Sequence, residues 1–305
     1  RLPDAKITFF NFDYPDYKKM RLSTENAYFD YWYYAKNLHD TAIIYLPKSD
    51  ILIRMVLAMV NGAVAHNGEV FVVGENGAGI RSAKKEIESS IGPVKYSDAA
   101  RHSVIYQSVK IIKPAGENDG VDRWIATHDF NVAGELFKVV SLPGVFSYGR
   151  LDEGTQLLLE TLQLDDKKCV LDWGCGTGIV GLYLKKNWSQ TEVDMVDSSA
   201  LAIEAAKRTM GINNLASDNI WASDVFSDVS KKYDLIISNP PFHTKIEADH
   251  SVAESFIEES VNHLNPNGSL RIVGNTFLNY PSLLRKYFHG YSVIAENRLY
   301  RVYEA

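Results

Sequence analysis

The sequence predicts an α/β protein of two tandem Rossmann-like domains, the first a degenerate duplicate of the second. Three observations predict it. Strand-like and helix-like segments alternate through the second half, the pattern of a parallel doubly wound sheet. One of those strands runs into the glycine-rich segment Asp172-Trp-Gly-Cys-Gly-Thr-Gly178. Pieces of the first half also recur in the second, in the same order.

Taken in order, Cys169–Leu171 is a short apolar strand that ends in the glycine-rich segment, and Ile179–Lys186 is a helix. Glu192–Val196 is a strand ending at Asp197, followed by a helix over Ala200–Met210. A short strand precedes Ala222-Ser-Asp-Val-Phe226, and the strand Asp234–Ser238 leads into Asn239-Pro-Pro-Phe242. Ser251–His263 is a helix, Ser269–Val273 a strand and Ser282–Phe288 a helix. Tyr291–Ala295 and Leu299–Tyr303 read as a closing hairpin, which gives the sheet an antiparallel edge.

In the first half, Asn67–Gly74 parallels Asn267–Gly274 at an offset of 200 residues. Ile43–Pro47 parallels Ile236–Pro240, and Ser103–Ile105 parallels Ser292–Ile294, with an apolar helix over Leu52–Val64 where the repeat requires one. The copy is not equivalent. Leu46 stands where Asn239 stands, and Ile7–Phe12 ends in no glycine-rich loop. Gly, Asn and Asp crowd Pro114–Asp122 without an apolar period, so the join belongs there. The expected domains are 1–120 and 121–305. Trp124–Val132 and Glu135–Val140 then form a hairpin around Ala133-Gly134, and a helix over Gly154–Leu164 enters the second domain.

Composition narrows the function classes. The 305 residues are 46% hydrophobic and 23% charged, which excludes a disordered, collagenous or disulfide-scaffold chain. No uncharged apolar run approaches the ~18 residues of a membrane span, and no signal-peptide pattern opens the sequence. Two cysteines in one short segment, Cys169 and Cys175, fit a reducing compartment, and a cytoplasmic protein is expected. The histidines lack the i, i+4 spacing of a helical zinc site, so no metal is expected. Net charge is −6, unlike an indiscriminate nucleic-acid binder. Residues 1–150 carry 18 Lys and Arg against 17 Asp and Glu, whereas the remainder carry 14 against 21. An RNA partner would therefore use local patches, best sought in the first half.

Four signals carry chemistry, all at strand carboxyl ends, where doubly wound sheets bind ligands. Gly174, Gly176 and Gly178 let backbone approach a ligand closely, and the next helix presents its N-terminus there. Asp172 at the head of the loop repels phosphate and suits an ammonium group. Asp197, roughly 20 residues on, can accept bonds from ribose hydroxyls; it can equally serve the helix start beside Ser198 and Ser199. Asp224, after Ser223, can accept from an adenine amine, with Val225 and Phe226 flanking the ring; a solvated loop carboxylate is the alternative. Together these describe a pocket for adenosine with an amino-acid tail, which is S-adenosylmethionine. The fourth signal is Asn239-Pro-Pro-Phe242. The Asn239 side-chain oxygen and the Pro240 carbonyl can accept both hydrogens of an exocyclic amine. Pro240 and Pro241 stiffen the turn, and Phe242 can stack on the base for ~1–3 kcal/mol. Reaching such an amine requires an unpaired or flipped base.

These residues resemble the class I S-adenosylmethionine-dependent amino-methyltransferases. Leu142-Pro-Gly-Val-Phe-Ser147, Leu151-Asp152, Gly154-Thr-Gln-Leu-Leu-Leu159, Phe242-His243 and Leu270-Arg-Ile-Val-Gly-Asn275 resemble the bacterial rRNA guanine-N2 methyltransferases of the RsmC type. Val72-Val-Gly-Glu-Asn76 and Gly79-Ile-Arg-Ser82 are similar to their first domain. The resemblance runs from about Thr41 to the end. It implies methyl transfer to guanine N2 in rRNA or the small ribosomal subunit, with a degenerate first domain that assists substrate binding and folding. It also implies cofactor contacts from Asp172, Gly174, Cys175, Gly176, Gly178, Asp197, Ser198, Ser223, Asp224, Val225 and Asn239, and catalysis by Asn239, Pro240, Pro241 and Phe242. A monomer is the expected state. Large-subunit rRNA, adenine N6 or a protein glutamine are the other acceptors that such a tetrapeptide serves, and a non-catalytic RNA-binding factor is the alternative of another class. Trp173 departs from the family's small or aliphatic residue, and Thr244-Lys245 from its acidic residue and glycine. The aromatic run Tyr28–Tyr34 reads as a local packed core or an RNA-stacking surface.

Overall fold

The computed structural model describes residues 5–114, 120–164, 168–217, 219–240 and 248–305, without the side chains of 78 and 248–251. The chain divides into two compact units, Asp30–Ile125 and Arg1–Phe29 with Ala126–Ala305. The division thus falls five residues beyond the expected join, and the first 29 residues group with the C-terminal unit.

That opening segment is a β–α–β piece. Strands β1 (Phe9–Asn11) and β2 (Ala27–Phe29) pair in parallel around helix α1 (Tyr14–Arg21). Asp13 starts the helix by accepting the Asp16 N–H, Pro15 pre-sets the first turn, and Lys18, Lys19 and Arg21 complement the dipole at its end. Tyr14 and Tyr17 pack against Phe29. The aromatic run is therefore split: Phe29 joins this piece, Trp32 is buried in the other unit, and Tyr34 is exposed.

The unit Asp30–Ile125 holds β3 (His39–Tyr45), α2 (Asp50–Ala63), β4 (Val64–Glu75), α3 (Ile80–Ser90), β5 (Val94–Ala100) and β6 (Ser103–Val109). Its sheet order is β3-β4-β6-β5, parallel between β3 and β4 and antiparallel elsewhere. Helix α2 buries Ile53, Val56 and Leu57 at helical spacing, and β4 alternates buried Val70 and Val72 with half-buried neighbours.

The second unit continues with the hairpin β7 (Ala126–Val132) and β8 (Glu135–Ser141), then α4 (Glu153–Glu160). Its sheet is built from β9 (Cys169–Trp173), α5 (Ile179–Asn187), β10 (Glu192–Asp197), α6 (Ala200–Ile212), β11 (Ile220–Ala222), β12 (Tyr233–Ser238), α7 (Ala248–Ser260), β13 (Leu264–Asn275), α8 (Tyr280–Phe288), β14 (Ser292–Glu296) and β15 (Tyr300–Glu304). The strand order is β11-β10-β9-β12-β13-β15-β14; the last two pairings are antiparallel, so β15 runs against the other strands. Successive residues serve opposite faces, as the pleat demands. Val170, Leu235 and Ile237 enter one apolar cluster, while Leu171 and Ile236 enter the other. Helix α4 stops four residues short of expectation, with Thr161 at its C-cap and the Thr161 hydroxyl donating to the Leu158 carbonyl at 2.8 Å.

The duplication is visible in detail. The series β3-α2-β4-α3-β5-β6 repeats β12-α7-β13-α8-β14-β15, with the same pairings. Strands β4 and β13 are both 12 residues long and displaced by 200. Asn67 and Asn267 take the same left-handed backbone, φ 67° and 66°. Each precedes a glycine, Gly68 or Gly268, where a Cβ would press to 2.9 Å and 2.8 Å against a carbonyl of the neighbouring strand. Both copies shift register at this place. The first copy is degenerate because its four-stranded sheet has no counterpart of β9, β10 and β11 among the described residues.

Candidate active site

The loops after β9, β10, β11 and β12 leave the carboxyl edge of the sheet together, and a cavity opens there. Asp172, Gly174, Cys175, Gly176 and Asn239 line it, with Asp152, Thr155, Phe130 and Phe146. Asp197, Ser198, Ser223, Asp224 and Val225 lie in the two neighbouring loops. Pro240 is buried behind Asn239; Pro241 and Phe242, with His243, lie outside the described residues.

The glycine loop follows from backbone sterics. Gly174, Gly176 and Gly178 all take positive φ, from 55° to 77°. At Gly178 a Cβ would stand 3.0 Å from the Ala206 Cα, so α5 starts close against α6 only because that side chain is absent. The Asp172 carboxylate is fully buried and accepts the Gly181 N–H at 3.1 Å. Burial pushes this carboxyl up to about 7, and the nearby Asp197 charge adds to the shift. Burial likewise raises Asp197, against three backbone bonds that favour its charge, from Ser199 at 2.8 Å, Gly176 at 3.0 Å and Ser198. Asp197 thus serves the helix start and ties down the glycine loop at once. The Cys175 thiol is buried and pushed well above its ordinary pKa, so its part in the loop is backbone and bulk.

The loop after β11 is held under strain. Val225 adopts φ 52°, unfavourable for a β-branched residue. Its carbonyl accepts from the Trp173 indole N–H at 2.9 Å and the Ser223 hydroxyl at 3.0 Å. Trp173 therefore fixes a loop 52 residues away. Phe226 is buried in a ring stack with Phe256 and His263, 5.9 Å and 4.3 Å between centroids. Val225 is half-buried and packs against the same apolar cluster.

At the end of β12, the Asn239 Nδ2 donates to Asp152 Oδ2 at 2.9 Å and to the Thr155 hydroxyl at 2.8 Å. A carboxylate only accepts, so this pair fixes which way the amide points. The Asn239 Oδ1 is buried and has no partner among the described residues. A buried bare acceptor is costly to leave and marks a place for a donor from a ligand. Asp152 also caps α4 through the Thr155 N–H at 2.9 Å. Sequence reading did not give Asp152 and Thr155 a role, because the Asp-x-x-Thr pattern before an apolar run signals only a helix cap. Among the described residues no group of His, Cys, Asp and Glu could hold a metal ion, and no helix is long and apolar enough to cross a membrane.

Known proteins share this architecture. Residues 136–304 match the family Methyltransferase small domain, and residues 2–127 match Methyltransferase small domain N-terminal. The ribosomal RNA small subunit methyltransferase C of Psychromonas ingrahamii is 36% identical over 298 residues, 98% of this chain and 84% of that one. The chain belongs to the ribosomal RNA small subunit methyltransferase C family. The family member from Vibrio vulnificus is 34% identical, over 98% of this chain and 87% of its own. A solved relative from T. thermophilus, a 16S rRNA N2 methyltransferase (RsmC) in complex with AdoMet and guanosine, has the same fold. Its TM-score is 0.85 at 24% identity, covering 97% of this chain and 81% of its own. Family membership agrees with the two tandem methyltransferase-like domains.

Proposed function

We propose that this chain transfers a methyl group from S-adenosylmethionine to the N2 amine of a guanine in small-subunit rRNA. The buried, unpartnered Asn239 Oδ1 carries the reading, since it needs a donor and an exocyclic amine brings one. The donor set also fits the cofactor. Asp172 suits its ammonium, Asp197 its ribose hydroxyls and Asp224 its adenine amine, around a loop whose three glycines let backbone approach the ligand. When bound, S-adenosylmethionine supplies an electrophilic methyl on a sulfonium.

The chain's own residues position the amine. Its lone pair is delocalised into the base. Asn239 Oδ1 and the Pro240 carbonyl accept its two hydrogens, which favours a pyramidal nitrogen with the lone pair aimed at the methyl. With the cofactor held by Asp172, Asp197 and Asp224, the amine lone pair would form the N–C bond as the S–C pair returned to sulfur as a neutral thioether, and the proton shed by the nitrogen would pass to solvent. Pro241 and Phe242 are the remaining catalytic residues of this reading, and Phe242 is the side chain suited to stack on the base. The first domain assists RNA binding, and the protein works as a monomer in the cytoplasm, where ribosomal subunits are its partners. Kinship with ribosomal RNA small subunit methyltransferases supports the small-subunit acceptor.

The test is incubation with methyl-labelled S-adenosylmethionine and unmethylated small ribosomal subunits, followed by nucleoside chromatography. Label in N2-methylguanosine is expected. Label in another nucleoside, or only with large-subunit RNA, would overturn the acceptor; absence of label with every amine acceptor would overturn the chemistry.

A further inference from the structure

Two of the cofactor loops are gripped from outside by the segment that opens the chain. The Tyr14 N–H donates to the Ser198 carbonyl, and the Ala200 N–H donates to the Phe12 carbonyl, both at 2.8 Å. Between these bonds Asp13 pairs with Ser199 as an antiparallel bridge. One turn further along α1, the chain reaches the other loop. The Tyr14 hydroxyl donates to Asp228 at 3.2 Å, and the Lys18 ammonium donates to the Ser227 hydroxyl at 3.1 Å. That same hydroxyl accepts the Asp224 N–H at 3.2 Å. Seven residues, Phe12–Lys18, therefore bond to the loop that carries Asp197 and Ser198 and to the loop that carries Asp224 and Val225.

The origin of the segment makes this arrangement informative. Phe9–Phe29 is a parallel β–α–β piece, the basic unit of a doubly wound sheet. It stands ahead of β3 in the chain, where a complete first copy would carry its nucleotide-binding half. Yet it belongs to the other compact unit. Simple packing would not require backbone bridging to one loop and side-chain bonding to the next.

We propose that this N-terminal β–α–β segment is a strap belonging to the cofactor site of the second domain. It sets the spacing between the Asp197 and Asp224 loops, so that the ribose and adenine ends of the ligand are held together. Tyr14 and Lys18 are positioning residues in this arrangement. Loops already held in the bound spacing lose less freedom on binding, so affinity depends on the strap. The inference rests on the reading that S-adenosylmethionine occupies these loops.

The test uses the full chain with Tyr14→Phe and Lys18→Met together. This variant deletes the bonds to Ser227 and Asp228 and leaves the backbone bridge to Ser198 and Ala200 intact. Calorimetry should show S-adenosylmethionine binding weakened about tenfold, with its KM raised in step and kcat at saturating cofactor retained, the pattern of lost uniform binding. The KM for RNA should not move. Hydrogen exchange on the unaltered protein is the second readout. Saturating S-adenosylmethionine should slow the amides of Tyr14–Arg21 together with those of Ser223–Asp228. An affinity within twofold of the unaltered protein overturns the strap. So does unchanged exchange in α1 while the glycine loop Gly174–Gly178 becomes protected. If the unaltered protein gains protection nowhere, the cofactor reading fails and the strap fails with it, a pattern distinct from either result above.

Discussion

Replacing Asp152 with serine separates two jobs that one carboxylate performs. Its Oδ2 accepts the Thr155 N–H at the start of α4 and the Asn239 Nδ2, both at 2.9 Å. Serine caps a helix about as well as aspartate, so stability should change by less than about 0.5 kcal/mol. Its shorter side chain cannot reach Asn239 as well. The Asn239 amide then keeps only Thr155, whose hydroxyl donates or accepts with equal ease, and nothing tells Oδ1 from Nδ2. The bond lost is to a charged acceptor, worth about 1.5–3 kcal/mol. At 1.4 kcal/mol per decade, kcat should fall about ten- to a hundredfold. Because the oxygen acts on the reacting amine, kcat and kcat/KM should fall together, while calorimetry finds S-adenosylmethionine binding unchanged. Steady-state methyl transfer and a urea titration measure both jobs. A folded Asp152→Ser variant that keeps kcat within about threefold would refute the reasoning.

Three other outcomes are expected. Asn239→Ala should bind S-adenosylmethionine normally yet turn over about 10²-fold more slowly in the labelled-methyl assay, as for loss of one oriented acceptor; normal turnover would remove Asn239 from the mechanism. Burial lifts the Asp172 carboxyl to about 7, so the unliganded fold keeps a proton that the unfolded chain gives up near 3.8. Stability should therefore decline as pH rises from 3.8 to about 7 and level off above it, and Asp172→Asn should flatten that limb in urea titrations. An ammonium-bearing ligand favours the carboxylate, so cofactor affinity of the unaltered protein should strengthen as pH climbs through about 7; a pH-independent dissociation constant would contradict this. Trp173→Phe keeps the ring but deletes the bond to the Val225 carbonyl, worth about 0.5–1.5 kcal/mol. It should weaken S-adenosylmethionine by about two- to tenfold in calorimetry, and unchanged affinity would show that the strained loop holds itself.

What could be read from the sequence was local or periodic. The glycine loop, Asp197 and Asn239 each sit one step beyond an apolar strand, so strand order alone brings them to one edge. The 200-residue offset was legible because β4 and β13 share a bend that only glycine at 68 and 268 allows. What stayed hidden depends on distance along the chain. Asp152 meets Asn239 across 87 residues, and its cap pattern already had a sufficient local explanation. Tyr14 meets Asp228 across 214 residues, in a segment whose aromatic composition spoke only of packing. Phe226 was expected beside the ligand; its alternation with Val225 did not reveal that a left-handed turn would send it into the core.

The bare oxygen of Asn239 also bears on what the cleft refuses. Hypoxanthine differs from guanine by carrying a hydrogen on C2 in place of the amine. Seated in the same way, it would aim a carbon–hydrogen bond at Oδ1 and leave that oxygen as bare as before, forgoing the relief of about 1–3 kcal/mol that guanine's amine brings. Rejection by an unmet bond is more selective than rejection by size, because no small shift of the base supplies the missing donor. Inosine in place of the target guanosine would thus be more than an unreactive nucleoside. It would be a poor tenant, quick to leave, and RNA carrying it would compete weakly for the enzyme.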